Sequence, residues 1–242
     1  MVPAPLLLAA VRGCCIASTL VVIFSGVPSI VSVARAGTTG GRSALPFAAQ
    51  LLDNAIGWWL SSISGDVLGQ RFRALSLLMT TLYLAVFIRY APSTAERAAS
   101  LTHVIRVVAA LGALGAGVVT LVPRPGWRDV LGVAVTCSAV SFAASPLAEL
   151  GRVLKTRDAS SIPLPLMAAV TACSASWAAW GLLRRDPWML LPNVLNCALG
   201  AAQVALALAL PGPPAAPSGG PHHPAAVVAT AAAPAPTRKK DE

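Results

Sequence analysis

Two side chains in the apolar C-terminal half of the chain, Trp177 and Asn193, carry complementary chemistry. An indole presents a flat apolar face and a carboxamide sets a donor beside an acceptor. Together they suit a small neutral polar solute held in a mostly apolar pocket. Both residues also have a purely structural use, the indole as core and the carboxamide as a hydrogen-bonded tie between helices in lipid. Asp53 is a third notable residue, because a carboxylate inside a membrane span costs about 2.5–3.5 kcal/mol to insert and calls for a partner. Arg73 is the candidate: facing Asp53 within one bundle, it would neutralise the charge and leave a polar wall. The other readings are a protonated Asp53 with Arg73 reaching the outer surface beside Arg71, or a proton relay at Asp53. His103, His222 and His223 lie far from Asp53 in the sequence, so no catalytic set is formed and no cofactor is expected. Cys14, Cys15, Cys137, Cys173 and Cys197 are odd in number, sit in apolar runs and lack CxxC spacing, which predicts neither disulfides nor a metal.

The elements that must position these residues are membrane helices. Of 242 residues, 56% are hydrophobic and 11% charged, and the mean hydropathy is +0.71, outside the usual range of a soluble domain. The net charge of +9 is spread over short connectors instead of a single stripe, so nucleic acid is not expected as a partner. Windows of about 20 apolar residues recur seven times. They run approximately over Arg12–Val33, Ala44–Ile63, Val67–Arg89, Leu101–Val122, Val130–Leu154, Ile162–Leu183 and Trp188–Leu210. The first is read as a span and not a signal peptide, since it lacks a charged opening and its apolar run is too long. Beyond Leu210 the Pro- and Ala-rich text cannot bury a core and predicts a flexible tail over 211–242.

The chain also repeats itself. "VPSIVSVARAGTTGGRSALPF" at 27–47 is echoed by "SPLAELGRVLKTRDASSIPLPL" at 145–166, with Pro28 and Pro46 answered by Pro146 and Pro163. Trp58 and Trp59 precede Asp66 as Trp177 and Trp180 precede Asp186. The expected organisation is a three-helix unit over 1–92, a linker with a fourth helix over 93–128, and a second three-helix unit over 129–210. One intervening span makes the two units parallel. Seven spans put the termini on opposite faces. With the N-terminus outside or lumenal and the C-terminus cytoplasmic, ten Lys and Arg fall on the cytoplasmic side and seven outside. The difference is made by Arg238, Lys239 and Lys240 of the tail.

The stretches "ASPLAELGRVLKT", "SASWAAWGLLRRDPWMLLPNVLNCALG" and "GGRSALPF" resemble the SWEET (MtN3/saliva) sugar transporters, the animal members in particular. The resemblance implies an all-α membrane protein of seven transmembrane helices in a 3+1+3 arrangement. It implies passive, bidirectional movement of a mono- or disaccharide, glucose-like, across the plasma membrane and/or the Golgi membrane. Partners would be the sugar, membrane lipid and a homo-oligomeric neighbour. By the same resemblance Trp177 and Asn193 line the pocket, Pro28, Pro46, Pro146 and Pro163 form a gating tetrad, with Pro165 as a substitute for the last, and Asp186 belongs to the outer gate. In the first unit Arg73 falls on the family's second pocket asparagine, with Ser76 reached by a slip of three residues. Gly57 falls on a small hydroxyl position, Trp59 on a family tryptophan, and Leu60 on a tyrosine that would latch Asp186. Independently of the family, a proline inside a helix removes a hydrogen bond and kinks it, so four kinks could let two bundles rock about a shared site. The alternative function is a proton-coupled carrier of amino acids or other small solutes, related to the PQ-loop transporters, for which Asp53 is the clue.

Overall fold

The structure, a computed structural model, describes residues 4–40, 44–157, 159 and 164–210, and everything below refers to these. Its helices are α1 (Ala4–Phe24), α2 (Val27–Ala36), α3 (Leu45–Ile63), α4 (Val67–Arg89), α5 (Thr94–Leu121), α6 (Trp127–Thr156), α7 (Leu164–Leu183) and α8 (Pro187–Ala209), with a 3-10 turn at Arg124–Gly126. Helices α1 and α2 are two arms of one crossing, so the described chain crosses seven times. Five crossings are long and apolar enough to span a bilayer on that ground alone, namely Leu6–Ala36, α4, α5, α7 and α8. Helices α3 and α6 complete the two bundles. Large apolar side chains such as Leu78, Ile105, Val108 and Leu208 point outward, as lipid requires of the outer surface.

Each unit sets its third helix between the other two: α4 touches α1, α2 and α3, and α8 touches α6 and α7. Across the units, α1 meets α7 and α3 meets α6. The first helix of each unit therefore packs on the second helix of the other, the reciprocity expected of a two-fold relation. Three crossings followed by one linking crossing bring the second unit in with the direction of the first, so the units are parallel. Helix α5 links them and lies against α3 and α4, its start fixed by a Ser93 hydroxyl that accepts from the Glu96 amide. One apolar cluster lies in the first unit around Phe47, Tyr83, Leu84 and Phe87, and another in the second unit around Val153 and Ala159. A third joins Ile56 and Leu60 of α3 to Val118, Leu131 and Val135.

The repeat is sharper in three dimensions than in the text. A shift of 120 positions carries α4 onto α8 end for end. The turns before them match as well, with Asp66 N–H donating to the Ser61 carbonyl and Asp186 N–H to the Gly181 carbonyl. Gly65 (φ +66°) and Arg185 (φ +52°) both adopt the left-handed conformation there, which glycine accepts freely and arginine at a cost.

The prolines are used in different ways. Pro28 sits in the first turn of α2, just beyond the break at Ser25–Gly26. The kink has a built partner: Tyr83 of α4 donates its hydroxyl to the Ile23 carbonyl at 3.0 Å, which satisfies a carbonyl where the helix breaks. Gly26 makes room for it, since a Cβ there would lie 2.8 Å from the Tyr83 ring. Pro46 instead stands in the first turn of α3, where its missing N–H costs nothing and its fixed φ starts a helix. The expectation of an in-helix kink at Pro46 is corrected accordingly. Pro146 falls within α6, and Pro163 lies outside the described residues, as does the tail with His222 and His223. Pro192, inside α8 and buried, is a further helix-interior proline.

Candidate functional site

The 120-position shift that superposes α4 on α8 carries Gly57 onto Trp177 and Arg73 onto Asn193. Arg73 and Asn193 each stand seven residues into their helix from Asp66 and Asp186, about 10 Å at 1.5 Å per residue. Arg73, and not Ser76, thus holds the frame of Asn193. Gly57 and Arg73 of the first unit correspond in position to Trp177 and Asn193 of the second.

In the second unit, Trp177 on α7 donates its indole N–H to the Thr19 hydroxyl of α1 at 2.7 Å. Its ring meets Phe72 of α4 edge to face, centroids 6.1 Å apart. The indole therefore looks toward the first unit and is half-buried there. Around it, the Thr19 hydroxyl and the Cys173 thiol lie 3.7 Å apart, and the Cys15 thiol donates to the Ser176 carbonyl at 3.2 Å. Asn193 spends its amide N–H on the Met189 carbonyl one turn back, at 2.7 Å, beside the turn that Pro192 interrupts. That leaves its carbonyl oxygen without a hydrogen bond among the described residues.

The first unit fills the same frame with an ion pair. Arg73 Nη1 donates to Asp53 Oδ2 at 2.5 Å and to Asn54 Oδ1 at 3.3 Å. The pairing expected of Asp53 and Arg73 is present. Gly57 makes it fit: a Cβ at that position would stand 2.7 Å from the Arg73 Cζ, so the guanidinium lies on bare backbone. Asn54 is buried and its own amide donates to the Gln50 carbonyl at 2.9 Å. Arg73 is 31% exposed, and among the described residues only Nη1 has hydrogen-bond partners, so Nε and Nη2 remain as donors.

Asp186 caps α8, accepting from the Trp188 and Met189 amides, and pairs with Arg128 Nη2 at 2.8 Å. Arg128, on α6, also donates from Nε to the Ser64 hydroxyl in the turn after α3 at 3.3 Å, a contact from one unit to the other. Leu60, where the family tyrosine would stand, is buried apolar core, and Arg128 is the partner that Asp186 has. Asp66, the counterpart of Asp186, is buried with Oδ2 unpartnered among the described residues. Burial pushes its carboxyl up, against the pull of the Gly69 amide and of Arg184 and Arg73, with Asp186 adding to the rise. Trp59 does not reach Trp177: its ring lies against Trp127, centroids 6.0 Å apart, in the apolar cluster that joins the units. The Arg128 contacts were missed in the sequence, where 64 positions separate Arg128 from Ser64. The Trp177–Thr19 bond was missed because nothing distinguishes Thr19 from other threonines in apolar text.

Residues 129–215 match the family model described as "Sugar efflux transporter for intercellular exchange". The chain is 30% identical over 192 residues to the bidirectional sugar transporter SWEET1b of Oryza sativa subsp. indica, covering 77% of this chain and 73% of that one. It is 28% identical over 197 residues to the sugar transporter SWEET1 of Caenorhabditis elegans, covering 81% and 63%. A solved structure of a eukaryotic SWEET transporter superposes with a TM-score of 0.74 at 26% identity, covering 83% of this chain and 98% of that one. The 3+1+3 helices, the reciprocal seam between parallel units and this similarity along the chain lead to one conclusion: the chain belongs to the SWEET (MtN3/saliva) family.

Proposed function

We propose that the protein carries a neutral, glucose-like mono- or disaccharide passively and in both directions, its two units rocking about a site of Gly57, Arg73, Trp177 and Asn193. The observation that carries this reading is the chemistry of those residues. Asn193 leaves a carbonyl acceptor and Arg73 leaves two nitrogens as donors, both suited to hydroxyls, and Trp177 supplies an apolar face for C–H groups. Asp53 cancels the charge of Arg73, so the site favours an uncharged ligand. The relatives named as bidirectional sugar transporters support the same reading.

Rocking needs a place to bend, and the Pro28 break supported by Tyr83 suits that role. Pro46, at the start of α3, and Pro146, inside α6, belong to the same proposal, as does Pro163. On the outer side, Asp186 with Arg128 and Ser64 forms a closure that separates as the units part. The proposed orientation keeps the N-terminus outside or lumenal and the C-terminus cytoplasmic, in the plasma membrane and/or the Golgi membrane. The Arg73 ion pair gives Asp53 a counter-ion, which supports the passive reading over a proton-coupled carrier.

The test is radiolabelled glucose influx and efflux in cells lacking their own hexose carriers, with external pH varied. Saturable movement in both directions at every pH supports the proposal. Uptake that requires an inward proton gradient overturns it.

A further inference from the structure

Helix α1 meets α7 along a short polar seam in otherwise apolar surroundings. Cys15 and Thr19, one turn apart on α1, face Cys173, Ser176 and Trp177 on α7. Polar groups between helices in lipid serve to fix one helix against another. Here one of them also fixes the ring proposed to carry the sugar. The Trp177 indole has a single N–H, and Thr19 takes it at 2.7 Å. The opposite constraint comes from Phe72, whose ring stands nearly perpendicular to the indole at an interplanar angle of 86°. A hydrogen bond at one end and an edge-to-face contact on the ring leave the indole little freedom to turn about its side-chain bonds.

Thr19 is used across the two units, whereas Thr80 donates to Gln50 within the first unit. Thr81, Thr102 and Thr120 each donate to the carbonyl four residues back in their own helix, a local use that places nothing else. The Thr19 hydroxyl accepts from an indole of the other unit and stands beside the Cys173 thiol.

From this geometry we infer that Thr19 is a positioning residue for substrate: its hydroxyl holds the Trp177 indole so that the ring meets the sugar by its face, with the N–H withheld from the sugar. The inference rests on the sugar-carrying reading above. Thr19 does not touch the sugar in this account. It acts through Trp177, and its loss weakens apparent affinity more than turnover.

The experiment uses the full chain purified in detergent and in liposomes, with Thr19→Val, Thr19→Ser and Thr19→Ala. First, the protein is labelled with 5-fluorotryptophan and the Trp177 fluorine line is assigned by its absence in Trp177→Phe. Thr19→Val is expected to move or broaden that line, and Thr19→Ser to return it to the wild-type position. Second, the concentration dependence of glucose exchange is measured. Thr19→Val should raise KM about fivefold, the loss of one neutral hydrogen bond, with the maximal rate changed less than about twofold, and Thr19→Ser should recover the wild-type KM. Thr19→Ala removes the same hydroxyl without adding bulk to the seam and gives the same readings if Thr19→Val does not remain monodisperse. A Trp177 line that stays in place, a shifted line with an unchanged KM, or equal losses in Thr19→Val and Thr19→Ser each overturn the inference. A wild-type protein that exchanges no glucose sinks the transport reading instead, and the fluorine line alone then decides whether Thr19 holds the indole.

Discussion

The two three-helix units share a frame and differ in what they put into it. At one position the first unit has Gly57 and the second Trp177; sixteen residues on, the first has Arg73 and the second Asn193. The bulk sits on the second helix in one unit and on the third helix in the other. The glycine is the reason this works, since it alone leaves room for the Arg73 guanidinium. The turns diverge in the same manner. Asp186 uses Oδ1 both as cap and as ion-pair partner, whereas Asp66 is buried with Oδ2 unpartnered among the described residues. A duplicated scaffold keeps its backbone because helix ends and crossings depend on each other, while the side chains around the seam are free to specialise.

The largest expected effect comes from the ion pair. Asp53→Arg or Arg73→Asp alone should lower glucose exchange by at least about tenfold, since removing one partner strands a charge at membrane depth. The double exchange Asp53→Arg with Arg73→Asp should recover a substantial part of it. No recovery, with all three proteins folded by size-exclusion chromatography, would mean that the pair is not a unit. The two capping aspartates should separate next. Asp186→Ala removes a cap and an ion pair and should cost roughly 1–2 kcal/mol in thermal unfolding, whereas Asp66→Ala should cost clearly less.

Asp66 also predicts a pH effect of definite sign. Its carboxyl is raised in the folded state by burial, so the folded protein holds that proton more tightly than the unfolded chain does. Stability from this group is present below the ordinary carboxylate range and is lost as pH rises through the raised value. Asp66→Asn should flatten that dependence in a thermal-shift series. The smallest effect lies in the turn: Arg185→Gly should stabilise by up to about 1 kcal/mol, and Gly65→Arg should destabilise by a similar amount. If both changes are neutral, the left-handed conformation costs arginine nothing in either turn.

Much of this was readable in the text. The cost of burying a carboxylate made Arg73 the candidate partner of Asp53, beside the readings of a protonated Asp53 and a proton relay, and the fold shows the pair. The parallel units followed from counting crossings. Other features depend on partners that text cannot rank. A proline that starts a helix and one that breaks it look alike, and so Pro46 was read as a kink when it opens α3. Trp59 was set with Trp177 because it falls on a family tryptophan, yet an indole goes where apolar space is offered, and for Trp59 that space is beside Trp127. Asp186 was expected to lack its latch, since Arg128 comes from a distant connector and only the fold brings it near.

The most direct test of a single site exposed alternately to each side is counterflow in liposomes holding the purified chain. Vesicles loaded with unlabelled glucose should take up labelled glucose to a transient excess over equilibrium, equally with and without a pH gradient, and Trp177→Ala with Asn193→Ala should abolish the excess. Uptake that never exceeds equilibrium and rises linearly with concentration, or an excess that appears only under an imposed proton gradient, would contradict it.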